Sequence, residues 1–439
     1  MNYICPVCRT AYSNIQCCDV CKFDSPPHFF LSEADAKSCF NTKIKTQRQQ
    51  WSSAKESAYQ IEQRKKLAQN PLNFTIKPFQ RLMFNNQFRP HSNQSSVKTA
   101  INVGDELPAQ FERKYKVIRY ITYEDIGEIY EIEDVSIGGK YALKLYFEDS
   151  LEPYNIKLIE RLISRGQPDN CFLWPLEIIT YKNLIGYVMH LRPEEYKSIL
   201  SMLRREIEPT FTTLCDAAIN LATGFLALHS QGLCHRNITY RNIYMNPMNG
   251  DVLIGANDTV TVNKDSDGYR LVNMRFIAPE IKSNNVHPSV STDLYSISVL
   301  LFYMFMIHHP LEGKIISDLE YLNEKITEKI YSIDPIFIWD PCNTRNRPIS
   351  GYADNAIIFW DIYPQYFRNL FIQAFTSGLK NPDSRIVERQ WIDALCRLKG
   401  SIKICSDCGV EIFYDPQKSQ NHCWQCKNIV TLKANKKRP

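Results

Sequence analysis

Long hydrophobic runs are scarce in this chain, and so is charge of one sign. The longest apolar run, residues 299–307, is about half the length a bilayer crossing needs, so it reads as core. The opening Met1-Asn2-Tyr3-Ile4-Cys5-Pro6 holds no apolar stretch of signal-peptide type. No membrane role is expected. Fifty-two Lys and Arg against 47 Asp and Glu leave a net charge of +5, too small alone to indicate a nucleic-acid binder. Residues 41–66 carry seven Lys/Arg against two Glu, an excess equal to that of the whole chain. The remainder is therefore balanced. No internal repeat is visible beyond a weak likeness between two cysteine clusters.

What is present is core material. Hydrophobic residues make up 44% and charged residues 23% of 439, which suits a globular protein of two or three domains. Eight of the fifteen cysteines form four C-x-x-C pairs at the two extremes of the chain. Disulfides of a secreted domain would be scattered, so a reducing, cytoplasmic compartment with metal-binding thiolates is expected.

The pairs are Cys5/Cys8 with Cys18/Cys21, and Cys405/Cys408 with Cys423/Cys426. Two thiolates at i and i+3 on a tight turn chelate one ion, and a second such turn completes a tetrahedron. Two structural zinc sites are therefore expected, each supplying folding energy to a segment with little core of its own. Cys17 competes with Cys18 as ligand; the C-x-x-C spacing favours Cys18. The rival is a redox dithiol, but neither cluster sits in a βαβ context. Four thiolates leave no open position for a catalytic water.

Four segments follow. Residues 1–30 form the first cysteine knot. Residues 31–105 comprise a long polar helix (31–68), with Ser32 as cap and Asp35 completing a capping box, and then a linker rich in Asn, Gln, Ser and Pro. Residues 106–398 begin with β-rich runs at 115–122, 128–134 and 141–147, the last two joined at Gly138-Gly139, and continue with helical periodicity at 211–230 and 291–307. Residues 399–439 hold the second knot and a basic tail. Strands first and helices afterwards describe an α+β unit of two lobes.

Several short motifs occur in order within 106–398. They are Tyr141-Ala142-Leu143-Lys144, His235-Arg236-Asn237 followed by Asn242, Phe276-Ile277-Ala278-Pro279-Glu280, Asp293-Leu294-Tyr295-Ser296, and Asn381-Pro382-Asp383-Ser384-Arg385. Together they resemble a protein-kinase catalytic domain. The resemblance implies that Lys144 contacts phosphate with Glu160 as its helix partner, and that Asn242 serves the nucleotide site. It also implies that His235 and Arg236 shape the catalytic loop, that Asp293 braces it, and that Glu280 and Arg385 form a buried ion pair. A narrower likeness rests on Trp174-Pro175-Leu176, Gly186-Tyr187-Val188-Met189, His309-Pro310-Leu311-Glu312-Gly313 and the terminal knot. It is to bacterial kinase-like proteins found with von Willebrand A-type proteins and metal-dependent phosphatases in tellurite-resistance and stress clusters, which suggests protein partners of those kinds.

The departures point to lost catalysis. Asn237 stands where the resemblance places the acid that orients the substrate hydroxyl, and an amide cannot take that role. The phosphate loop should read G-x-G-x-x-G, yet Thr122 to Gly127 lacks two of the glycines and places Glu124 and Asp125 where phosphate would lie. Ala256 aligns with the metal-binding aspartate, though a shift in the preceding turn would bring Asn257 or Asp258 there instead. The neighbouring Arg161 keeps the choice of Glu160 open. The expected function is a pseudokinase scaffold, a protein-binding module that does not transfer phosphate, with ATP its candidate ligand and magnesium binding weakened. The alternatives are an active, atypical Ser/Thr kinase recruiting Asp258 to metal, and a nucleic-acid-associated regulator using the knots and the basic helix. His308-His309 read as the C-terminal cap of the preceding helix.

Overall fold

A computed structural model describes residues 99–109, 113–124, 126–147, 153–265, 274–283, 286–319, 323–415, 418 and 420–430, together with the backbone of 2–4, 11–13 and 31–32. Cys5, Cys8, Cys18, Cys21, the basic stretch 41–66 and the terminal Lys/Arg tail lie outside the described residues. In the first segment, β1 (Asn2–Ile4) pairs antiparallel with both β2 (Ala11–Ser13) and β3 (Leu31–Ser32). Ser32 lies opposite Tyr3 in that sheet, and the remainder of the helix expected over 31–68 lies outside the described residues.

The main body opens with a six-stranded antiparallel sheet. Its strands are β4 (Glu106–Pro108), β5 (Lys114–Glu124), β6 (Gly127–Asp134), β7 (Lys140–Tyr146), β8 (Glu177–Tyr181) and β9 (Leu184–His190), ordered β4-β5-β6-β7-β9-β8. The β6–β7 turn is built on Gly138, whose φ of 69° suits a residue without Cβ. Leu107, Val117, Ile132, Leu143 and Val188 fill one face of the sheet. Ile101, 1% exposed, joins them, so the chain from about residue 101 belongs to the sheet rather than to a linker. Helix α1 (Pro153–Arg165) crosses between β7 and β8.

Helices dominate beyond residue 199. The central one, α2 (Phe211–Ser230), begins at Thr210, whose hydroxyl accepts the Thr213 N–H. It is long and apolar enough to cross a bilayer, yet 61% of its apolar window is buried in the protein. Short strands β10 (Lys197–Ser198), β11 (Leu233–Cys234), β12 (Ile243–Met245), β13 (Val252–Ile254) and β14 (Thr261–Val262) form a three-stranded sheet β10-β12-β13 and the pair β11-β14. Then come α3 (Pro279–Ser283), the almost fully buried α4 (Val290–Met306), α5 (Gln365–Ala374) and α6 (Glu388–Gly400), which packs along α2. The hairpin β15 (Ile402–Ile404) and β16 (Glu411–Phe413) carries Cys405 and Cys408 in its turn, and Cys423 and Cys426 follow it. Mixed strand and helix content agrees with the α+β expectation.

The histidines after α4 do not cap it. Ile307 does, in a left-handed conformation with its N–H on the Tyr303 carbonyl. His309 instead places Nε2 against the Arg275 carbonyl at 2.9 Å and Nδ1 against the Leu311 N–H at 3.0 Å. Burial lowers its pKa to about 4, so the neutral ring donates to one partner and accepts from the other.

Candidate functional site

Lys144 is carried on β7, and its side chain is 4% exposed. Glu160 does not meet it. That residue lies on the exposed face of α1, beside a surface groove shared with Lys157 and Arg161, because the helix turns Leu158, Ile159 and Leu162 inward. The partners of Lys144 are two other carboxylates. Its Nζ lies 2.8 Å from Asp258 Oδ2 and 2.9 Å from Glu124 Oε2. Burial opposes charge on the ammonium, but the carboxylates outweigh it and hold the Lys144 pKa well above its ordinary value. Asp258 is lowered in turn: burial resists ionisation, and the lysine with its hydrogen bond prevails.

Ala256 aligns with the metal aspartate only by sequence register. After β13 the chain passes through Ala256 at φ 56° and ψ 38° into a tight turn, Asn257–Thr259, which carries Asp258 to the lysine. Asn257 is fully buried, its amide donating to the carbonyls of Leu173 (2.9 Å) and Ile254 (2.8 Å). Asp258 Oδ2 also accepts from the Tyr146 hydroxyl at 2.6 Å, while Oδ1 is buried with no hydrogen-bond partner among the described residues. Tyr244 lies nearby, stacked under the Arg192 guanidinium at 4.5 Å, its hydroxyl pKa raised by burial and by the charge of Glu124.

Charge around Lys144 therefore sums to an excess of one negative. A polyphosphate would have to displace Glu124, and one free oxygen of Asp258 is what this arrangement holds out to a cation. As arranged, Lys144 faces two carboxylates rather than an open phosphate site. Gly127, the glycine retained from the phosphate loop, has a packing reason instead. A Cβ there would be driven into the Leu145 carbonyl of the neighbouring strand.

The start of α4 holds the segment 235–237. Asp293, at the start of α4, accepts the backbone N–H of His235 through Oδ2 and that of Arg236 through Oδ1. Burial lowers the His235 pKa, so the ring is neutral, donating through Nε2 to the Gly255 carbonyl at 3.0 Å and accepting the Asn237 N–H at Nδ1. Asn242 donates to the Asn237 carbonyl at 3.1 Å. Glu280 and Arg385 meet fork to fork, with both N–O distances 2.7 Å.

His229, near the end of α2, has no counterpart in the motif reading. Its ring sits between Asp293 (Nε2 to Oδ2, 3.1 Å) and Glu388 of α6, bonded through Nδ1. Burial opposes its charge, but hydrogen bonds to the two carboxylates lift its pKa to about 9. A raised pKa stabilises the fold fully below the unfolded value of 6.5 and is lost as pH rises through about 9. The thermal midpoint should therefore fall between pH 7 and 10, and His229→Gln should flatten that fall in a scanning-calorimetry series. An unchanged slope in the variant would show that other groups set the alkaline limb.

The last four cysteines converge. The Sγ atoms of Cys405, Cys408, Cys423 and Cys426 all lie within 4.8 Å of one another, with Cys405–Cys426 at 3.7 Å and Cys408–Cys423 at 3.5 Å. Bonds of about 2.3 Å to a tetrahedral zinc place sulfurs roughly 3.8 Å apart, whereas a disulfide needs about 2.05 Å. The donor set fits zinc.

Comparison with known proteins agrees with the motif order. Residues 177–329 match the family model for protein tyrosine and serine/threonine kinase. The cyclin-dependent kinase C-2 C of Arabidopsis thaliana is 25% identical over 247 residues, 54% of this chain and 36% of that protein. A probable serine/threonine-protein kinase of Bifidobacterium longum is 24% identical over 221 residues, 48% of this chain and 29% of that protein. The chain thus spans about a third of the length of the curated relatives it matches. It carries a protein-kinase-like domain with weak similarity to a bacterial Ser/Thr kinase.

Proposed function

We propose that this protein is a pseudokinase, a protein-binding scaffold whose kinase-like domain does not transfer phosphate. The observation that carries the reading is Lys144 saturated by Glu124 and Asp258 at 2.9 and 2.8 Å, so the cation meant for phosphate already has its counter-ions. The amide of Asn237 at the hydroxyl-orienting position supports it, since a positioned acid or base contributes roughly 10²- to 10⁴-fold in rate. Its partners are proteins, and the bacterial likeness nominates a von Willebrand A-type protein and a metal-dependent phosphatase. Incubation with radiolabelled ATP and either generic or candidate partner substrates should give incorporation no greater than that of Lys144→Ala. Robust labelling abolished by that substitution would overturn the proposal.

One observation favours a second reading, an atypical Ser/Thr kinase. The unpartnered Oδ1 of Asp258 is an acceptor a magnesium ion could take. That reading expects ATP affinity to rise with magnesium and the rise to vanish in Asp258→Ala, measured by calorimetry. Magnesium-independent affinity would rule it out.

A further inference from the structure

The terminal cysteine knot is built into the helical core rather than hung beside it. Cys405 and Cys423 are 2% and 0% exposed, and both share one hydrophobic cluster with α2, α4 and α6. The knot presents three groups to the first turn of α2, two from the hairpin and one from the second cysteine turn. Glu411 accepts from the Thr212 backbone N–H at 3.2 Å and from its hydroxyl at 2.6 Å. Phe413 packs on Phe211 with ring centres 4.8 Å apart, and Trp424 meets the same ring at 6.2 Å. The Trp424 indole in turn donates to the Glu411 carbonyl at 2.9 Å, tying the two cysteine turns together at the helix end.

This matters because α2 begins with backbone N–H groups that its own turns cannot satisfy, and a carboxylate there is favourable both as acceptor and as charge. Thr210 supplies one cap from within the chain, to Thr213; Glu411 supplies the next, to Thr212, from a segment 199 residues away. The hairpin itself has only three ladder pairs, too few to hold its shape unaided. Whatever closes the four thiolates therefore fixes where Glu411, Phe413 and Trp424 stand. At the far end of α2, His229 joins Asp293, which holds the His235 and Arg236 N–H groups.

We propose that a zinc ion on Cys405, Cys408, Cys423 and Cys426 is the lock of a clamp on the first turn of α2, and that losing it loosens this helix along with the knot. The inference is independent of whether phosphate is transferred.

The test uses the full-length chain. Cys408→Ser/Cys426→Ser isolates this site from any metal held by the first cysteine cluster. It should release one zinc equivalent to a chromogenic chelator and lower the thermal midpoint by roughly 5–10 °C. Amide exchange over residues 211–216 should rise by about tenfold or more. Exchange that changes only within 402–430, with residues 211–216 as protected as before, would overturn the clamp. Full zinc retention would overturn the metal site itself. Should the double variant not fold, Glu411→Ala leaves every thiolate in place. It should keep its zinc and still raise exchange at 211–216 severalfold, and unchanged exchange there would count decisively against the proposal.

Discussion

Arg385→Ala is expected to cost about 3–5 kcal/mol of folding free energy, read as a shift of the urea midpoint at unchanged slope. The guanidinium is 2% exposed and makes more than its two 2.7 Å bonds to Glu280. Its Nε donates to the Gly378 carbonyl at 3.1 Å and its Nη1 to the Ser291 carbonyl at 2.8 Å, so one side chain gathers α3, α4 and the turn before α6. Truncation strands the Glu280 carboxylate, 12% exposed, in a poorly hydrated site. Arg385→Lys should recover little, since a single ammonium cannot match a carboxylate fork while reaching two carbonyls. Because an intact pair is offset by its own desolvation, Glu280→Gln combined with Arg385→Met should be milder than Arg385→Ala alone. A single-variant loss below about 1 kcal/mol would mean the pair is solvated in solution.

That pair was legible because both members belong to short motifs whose order survives even where their chemistry has changed. The same holds for Asp293 under the catalytic loop and for the last four cysteines. The extent of α2 was legible too: residues 211–230 are apolar enough to be core, and the hydroxyl of Thr210 marks where the helix starts.

The pattern failed where a side chain's direction depends on rotation about an axis. Glu160 falls on the right helix, but helical periodicity places a residue on a face without saying what that face meets; three inward apolar neighbours turn it to solvent. Ala256 shows a related limit. Counting from β13 assumes extended backbone, whereas a left-handed residue followed by a tight turn brings Asp258 to Lys144.

Contacts of long sequence separation left no local signal. Glu388 lies 159 residues from His229 and Glu411 lies 199 from Thr212. A polar residue on an exposed-looking hairpin gives no hint that it caps a distant helix. One hint was available for His229: a titratable residue that follows the largely apolar stretch 217–228 of a core helix must find partners if it is buried. Glu124 was visible as negative charge in the phosphate loop, though not as the counter-ion of Lys144.

The largest functional consequence follows from that counter-ion arrangement. Asp258→Ala should destabilise the protein by about 3–5 kcal/mol, because a 4%-exposed ammonium would keep only a partly hydrated carboxylate. Glu124→Gln should cost far less, about 1 kcal/mol or under, since Glu124 is 37% exposed and water can replace it. The ranking discriminates between roles. An aspartate kept for a catalytic metal would be dispensable for stability, and its loss would show in nucleotide affinity alone. Acid should act in the same direction as the variant. The depressed pKa of Asp258 stabilises the fold fully above its unfolded value of 3.8, and that contribution disappears as pH falls through the lowered folded value. The gap between the urea midpoints of the wild type and Asp258→Ala should therefore be narrower at pH 3 than at pH 7. A constant gap between them would show that Asp258 remains charged and unlinked to folding, and that Lys144 finds its stabilisation elsewhere.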